Sequence, residues 1–139
     1  MSDPGEQGFA LDPRLTADTA FVADWELSRV LLMDDARFPW LILVPRRAGL
    51  AELDDLAPDQ QACLLGEINR AMAMLRKTGS CDKLNIGALG NVVRQLHVHV
   101  VARRADDGAW PRPVWGAGNP VRYGQAERER MLEHLRRSE

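Results

Sequence analysis

Two of the chain's three histidines, His97 and His99, stand two residues apart inside RQLHVHVVARR. Imidazole is close to its titration point at neutral pH, so it can attack phosphorus, relay a proton or bind a metal ion. Residues two apart on a strand share a face. Gln95, His97 and His99 therefore line one side, and Leu96, Val98 and Val100 line the other. Three readings of this pair are open on spacing alone. The histidines are structural and satisfied by neighbours, they hold a metal, or one of them is catalytic. A metal would need a borrowed ligand, because the remaining histidine, His134, lies in a charged C-terminal stretch. An imidazole buried without any partner would cost about 1–3 kcal/mol, so each reading requires something to hold the rings.

The elements that must do so are legible in outline. Residues 1–17 read as a loose, flexible leader. From Thr19, Phe21, Ala23, Trp25 and Leu27 alternate with Val22, Asp24, Glu26 and Ser28, a period of two that suits a half-buried strand. SRVLLMDD and WLILVPRR are apolar on both faces, and the short turn DARFP between them predicts a hairpin. LAPDQQACLLGEINRAMAMLRKTG predicts the long helix, with Leu64, Leu65, Ile68, Met72 and Leu75 on one stripe. Pro58 suits its first position, Asp59 favours its positive end, and Gly79 is a natural stop. DKLNIGAL and RQLHVHVVARR predict two further strands joined through LGN. ADDGAWPRPVWGAGNP should be irregular, and QAERERMLEHLRRSE should close the chain as a short amphipathic helix. This order predicts an α+β domain over 18–139, a mainly antiparallel sheet packed by one long helix.

The totals exclude several classes. The chain has 139 residues, 45% of them apolar and 27% charged, which is globular composition with room for one core. A net charge of −2 argues against broad nucleic-acid binding. Cys63 and Cys81 form neither a CxxC pair nor a ligand-like spacing, which favours a reduced, cytoplasmic setting. The beginning MSDPGEQGFALDP lacks the basic start and apolar core of a signal peptide. No apolar run approaches the roughly 18 residues of a membrane span.

The residues around the pair narrow the choice. LNIGALGNVVRQLHVHVVAR resembles the signature region of the histidine triad (HIT) family, in which a glycine-containing loop precedes a strand of three histidines alternating with apolar residues. WLILVPRRAGLAELDDLAP resembles the same family's strand ending in proline and basic residues, followed by the turn into its helix. The resemblance spans about Val30 to Gly116, with one departure: Gln95 stands where the family usually has its first histidine. It implies a hydrolase or transferase of a purine nucleotide or dinucleotide, working without an obligatory cofactor and assembled as a homodimer. His97 takes the place of the nucleophile that attacks the α-phosphorus, and His99 that of the residue contacting phosphate or leaving group. Gln95 retains the main-chain carbonyl by which the first position helps to orient the nucleophile. Gly90 and Asn91 match the phosphate loop, Asn85 is a further phosphate candidate, and Asp34, with Asp35 as rival, matches the ribose-binding position. Trp110 and Trp115 either staple the irregular tail to the sheet, wall the substrate or meet a partner subunit. A nucleotide-binding module without turnover is the alternative function, and a metal-dependent hydrolase using His97 and His99 is the third.

Overall fold

A computed structural model describes residues 6–139. Helix α1 (Pro13–Asp18) leads into strands β1 (Thr19–Asp24), β2 (Ser28–Met33) and β3 (Trp40–Pro45), then the long helix α2 (Pro58–Arg76). Strands β4 (Lys83–Gly87) and β5 (Val98–Arg103) follow, and α3 (Gln125–Arg137) ends the chain. The five strands form one antiparallel sheet in the order β1-β2-β3-β5-β4. The expected hairpin is β2–β3, and the expected α+β architecture is the one observed. α2 and α3 pack on one face through Leu64, Ala71, Met74, Leu75 and Leu135, against Val30, Leu41, Leu43, Val98 and Val100. The opposite face is covered by α1 and the irregular segment after β5, through Leu15, Phe38, Trp40, Ile42, Val101, Ala109 and Val114. A sheet covered on both sides needs strands apolar on both faces, which is why β2 and β3 show no alternation.

Three expectations change in detail. The segment read as a loose leader carries structure in its described part: Asp12 caps α1 by accepting from the Arg14 N–H, and Leu15 is buried in the second core. Met1 to Gly5 lie outside the described residues. The stripe on α2 is rotated from its expected position. Leu65 is 60% exposed, whereas Glu67 is buried and its carboxylate accepts from the Leu27 and Ser28 N–H groups. That buried acid belongs to the inward face because two turn donors need an acceptor there, a demand that hydropathy cannot register. The histidine strand is also shorter than expected. Its pairing with β3 runs from Trp40↔Val101 to Leu43↔Val98. Two residues further along β3 lies Pro45, which has no N–H to extend a ladder. Gln95, Leu96 and His97 therefore precede β5, although Leu96 still enters the helix-side core.

All six residues of β5 are buried, including Arg103. Asp107 pairs with Arg103 through both carboxylate oxygens, at 2.8 and 3.0 Å, with both side chains at most 4% exposed. Asn85 Oδ1 accepts from the Arg103 Nη1 at 2.9 Å, and the guanidinium lies against the Phe38 and Trp110 rings. Asp107 also accepts from the N–H groups of Arg104, Ala109 and Trp110, so one carboxylate shapes the turn that follows β5. Removing one partner of a buried pair strands the other charge. Asp107→Ala should therefore lower the unfolding free energy by about 3–5 kcal/mol in urea titrations. A loss below about 1 kcal/mol would show that the arginine finds other compensation.

Candidate active site

His97 and His99 meet edge to face, with ring centroids 4.9 Å apart. Each ring is held by a different kind of partner. His97 Nδ1 lies 2.7 Å from the Gln95 main-chain oxygen. A carbonyl only accepts, so Nδ1 carries the proton and Nε2 presents its lone pair. For His99 the assignment is reversed. The Trp40 Nε1–H donates to His99 Nδ1 at 3.0 Å, which leaves the His99 proton on Nε2. The pair thus offers one imidazole with a free lone pair beside one with a free N–H. The bland reading of satisfied histidines and the catalytic reading use the same partners. What separates them is that each ring keeps one nitrogen for something else.

Both histidines are buried, at 7% and 6% exposure. Burial, and then the charge on His97, depress the His99 pKa from 6.5 to about 4, so His99 is neutral at pH 7. Trp115 closes the far side, its ring centroid 5.5 Å from that of His99. Its six-membered ring lies over Gly87, where a Cβ would come within 3.0 Å of Trp115 Cη2, so this close approach requires glycine. The Trp115 Nε1–H is buried and has no partner among the described residues. Of the expectations for the two tryptophans, Trp115 forms a wall beside the histidines, whereas Trp110 stacks over Arg103 and helps to fasten the tail.

Two cavities flank the histidines. One, of about 240 Å³, is lined by His97, Gln95, Gly90, Leu89, Glu52 and Asp54 among others. The other, of about 310 Å³, has Trp40, Trp115, Met33 and Val114 as apolar walls and His99, Asp34, Arg37 and Arg122 as polar ones. Gly90, at φ +72°, makes the left-handed turn at the mouth of the first cavity. Asn91 is exposed on that loop and belongs to the lining of neither cavity. Asn85 lies on the same sheet face as His99, but its oxygen serves Arg103. Asp34 faces the second cavity, while its carboxylate accepts from the Tyr123 N–H and the Arg122 guanidinium. Asp35 lines the same cavity but is 2% exposed, and Arg37 and the Val121 N–H occupy its carboxylate. Among the described residues no three His, Cys, Asp or Glu side chains cluster as a metal site would need. His134 donates to the Lys77 carbonyl from α3, on the helix-covered side.

Sequence reasoning missed Trp40 as the partner of His99, and missed the N-terminal segment altogether. An indole at the start of a strand needs an acceptor for its N–H, and that was the available signal. Which acceptor it finds depends on β3 and β5 being neighbours.

The start of β5 and the residue before it hold two buried, differently partnered imidazoles beside a glycine turn on an α+β scaffold. The chain belongs to the HIT domain family, whose family model matches residues 14–106. A histidine triad protein from Bradyrhizobium japonicum is 49% identical, with a TM-score of 0.90 over 94% of this chain and 97% of that one. A histidine triad protein from Sinorhizobium meliloti is 44% identical, with a TM-score of 0.93 over 97% of this chain and 100% of that one. At 17% identity, a hypothetical histidine triad nucleotide-binding protein from Sulfolobus tokodaii shares the fold, with a TM-score of 0.66 over 86% of this chain and 83% of that one. No curated protein matches the chain. Membership in this family points to nucleotide-related hydrolase or transferase chemistry.

Because His99 stays neutral when folded and titrates near 6.5 when unfolded, the unfolded state binds more protons as the pH falls from 6.5 toward about 4. Stability should decline across that window, by on the order of 2–3 kcal/mol from this residue, and level off below it. Urea unfolding at pH 7, 5.5 and 4.5 should show the decline in wild type and a flatter profile in His99→Gln. Equal slopes in the two proteins would place the acid sensitivity elsewhere.

Proposed function

We propose that the protein is a nucleotide hydrolase or transferase that attacks the α-phosphorus of a purine nucleotide or dinucleotide through His97. Dinucleoside polyphosphates and nucleoside phosphoramidates are the substrate types in view. The observation that carries the reading is the hydrogen bond from His97 Nδ1 to the Gln95 carbonyl, because it commits the Nε2 lone pair to the open side of the ring. In the first step a bond forms between His97 Nε2 and phosphorus while the bond from phosphorus to the leaving group breaks. The ring then bears positive charge, which the Gln95 carbonyl stabilises through the shared proton. The leaving group takes up a proton from solvent as it departs; water or another acceptor then attacks phosphorus from the opposite side and returns a proton to solvent, the nitrogen–phosphorus bond breaks, and the neutral imidazole is restored. His99 contributes a hydrogen bond from Nε2 to a phosphate or leaving-group oxygen and keeps its proton. The buried, unpartnered Trp115 N–H is a further donor beside it. Gln95 stands at the first triad position, Gly90 and Asn91 form the phosphate loop, and Asp34 takes the ribose hydroxyls.

A homodimer joined along the sheet edge fits the exposed apolar residues there: Ile86 on the edge strand β4 is 47% exposed and Leu89 just beyond it 44%. Sedimentation at micromolar concentration is expected to report twice the chain mass, and an active monomer would contradict it.

Incubation with a panel of dinucleoside polyphosphates and nucleoside phosphoramidates, followed by intact-mass analysis, tests the chemistry. A nucleotidyl adduct should appear on His97. His97→Ala should abolish turnover while nucleotide affinity stays within about tenfold, roughly 1.4 kcal/mol. Near-normal turnover in that variant would remove the central claim. In the same panel a 2′-deoxy ligand should bind roughly 5–150-fold more weakly, because a carboxylate left without its donor costs about 1–3 kcal/mol, and Asp34→Ala should erase most of that difference.

A further inference from the structure

The two cavities beside the histidines differ in charge. In the one lined by His99 the acids are paired: Arg37 holds Asp35 at 2.8 Å, and Arg122 holds Asp34 at 3.0 Å and Asp18 at 3.5 Å. The one lined by His97 carries two carboxylates, Glu52 and Asp54, and no basic side chain. Among the described residues neither of these acids has an ion-pair partner. Their neighbour Asp55 is occupied, its carboxylate accepting from the Ala51 and Glu52 N–H groups. Arg94 is exposed and does not line the cavity. The remaining wall is largely apolar, and Leu53 and Leu89, at 48% and 44% exposure, carry that apolar surface out to the rim. Two surface acids alone would mark no site. These share a cavity with His97, which is 7% exposed and whose Nε2 has no partner among the described residues.

We propose that Glu52 and Asp54 select the group exchanged at phosphorus, favouring one with an apolar body and a positive end and disfavouring a polyphosphate. The proposal rests on the reading of His97 as nucleophile and of Asp34 as the ribose ligand. With the nucleoside in the His99 cavity and phosphorus beside the imidazoles, the His97 cavity is what remains for the rest of the ligand. In an in-line displacement the leaving group departs and the acceptor enters on one side of phosphorus, so a single set of residues meets both. An amine-bearing tail would lay its methylenes on Leu53 and Leu89 and bring its charge to the two acids. A dinucleoside polyphosphate would instead press several negative oxygens against carboxylates that no cation offsets. Selection of this kind works by repulsion of the wrong partner as much as by attraction of the right one.

Three adenosine phosphoramidates test this, made with diaminobutane, pentylamine and aminopentanoate, so that tails of similar length end in a cation, a methyl group or an anion. Assays contain EDTA, which keeps metal ions from bridging acid and phosphate. In wild type kcat/KM should fall in that order, by about tenfold or more from cation to anion at low salt. Near about 0.5 M salt the spread should shrink to about threefold, because exposed charges are screened. Combining Glu52→Gln with Asp54→Asn keeps the shapes and removes both charges. In that double variant the spread should fall to within about twofold, and diadenosine tetraphosphate should be turned over about three- to tenfold faster relative to the neutral phosphoramidate. Each single variant should give an intermediate spread, and all should keep one cooperative thermal transition. Equal rates for the three compounds in wild type, a preference for the anion, or a spread that survives in the double variant would overturn the proposal. Should wild type turn over none of them, the functional reading falls, and calorimetric affinities of the same three compounds decide the charge preference by itself. Affinities in the order cation, neutral, anion establish it, and equal affinities or no binding overturn it.

Discussion

A strand buried along its whole length has to account for every polar group it carries, and β5 carries several. Its helix-facing side chains, Val98, Val100 and Ala102, ask for nothing more than packing. On the other face stand His99 and Arg103, with His97 just ahead of them, and all three are buried. An unpaired imidazole or guanidinium there would cost more than most single contacts contribute. The surrounding fold can be understood as the supply of partners. β3 delivers Trp40 to His99, the turn after β5 doubles back to deliver Asp107 to Arg103, and the backbone at Gln95 serves His97. Once Asp107 is in place, the tail is committed to crossing that face, and Trp115 follows it to the histidines.

The two imidazoles differ because their acceptors and donors differ, although they share a face and nearly the same burial. A carbonyl partner fixes the proton on Nδ1 of His97, and an indole partner keeps it off Nδ1 of His99. Burial then holds His99 neutral through the ordinary working range of pH. The result is a site in which the free nitrogen of His97 and a hydrogen-bond donor on His99 lie side by side. A separate cavity opens beside each ring.

Relatives at 49% and 17% identity keep this fold, so the scaffold tolerates wide change in sequence. Fold alone does not assign chemistry. At the site of this chain the carboxamide of Gln95 lines the cavity beside His97 and bonds the N-terminal arm through Ala10 and Asp12. The main-chain contact to His97 is indifferent to the residue type at position 95, because a carbonyl does not depend on the side chain it belongs to. The side chain is therefore free to bond the Ala10 carbonyl and the Asp12 N–H.

Much of this was readable in the residues themselves. The strand and helix periods, the β2–β3 hairpin and the alternation of Gln95, His97 and His99 against Leu96, Val98 and Val100 are local properties, and local geometry is enough to write them down. The pairing of a glycine turn with the HVHVV run carried the family. The partners were not readable. That His99 meets Trp40 depends on β3 and β5 being neighbours, that Glu67 turns inward depends on the donors at Leu27 and Ser28, and that Asn85 serves Arg103 depends on register. The arm, loose by composition, is fastened to the loop before β5 because two of its backbone groups fit the amide of Gln95. Side-chain periodicity is set within a few residues of the chain, whereas the satisfaction of a buried polar group is settled only when distant segments are brought together.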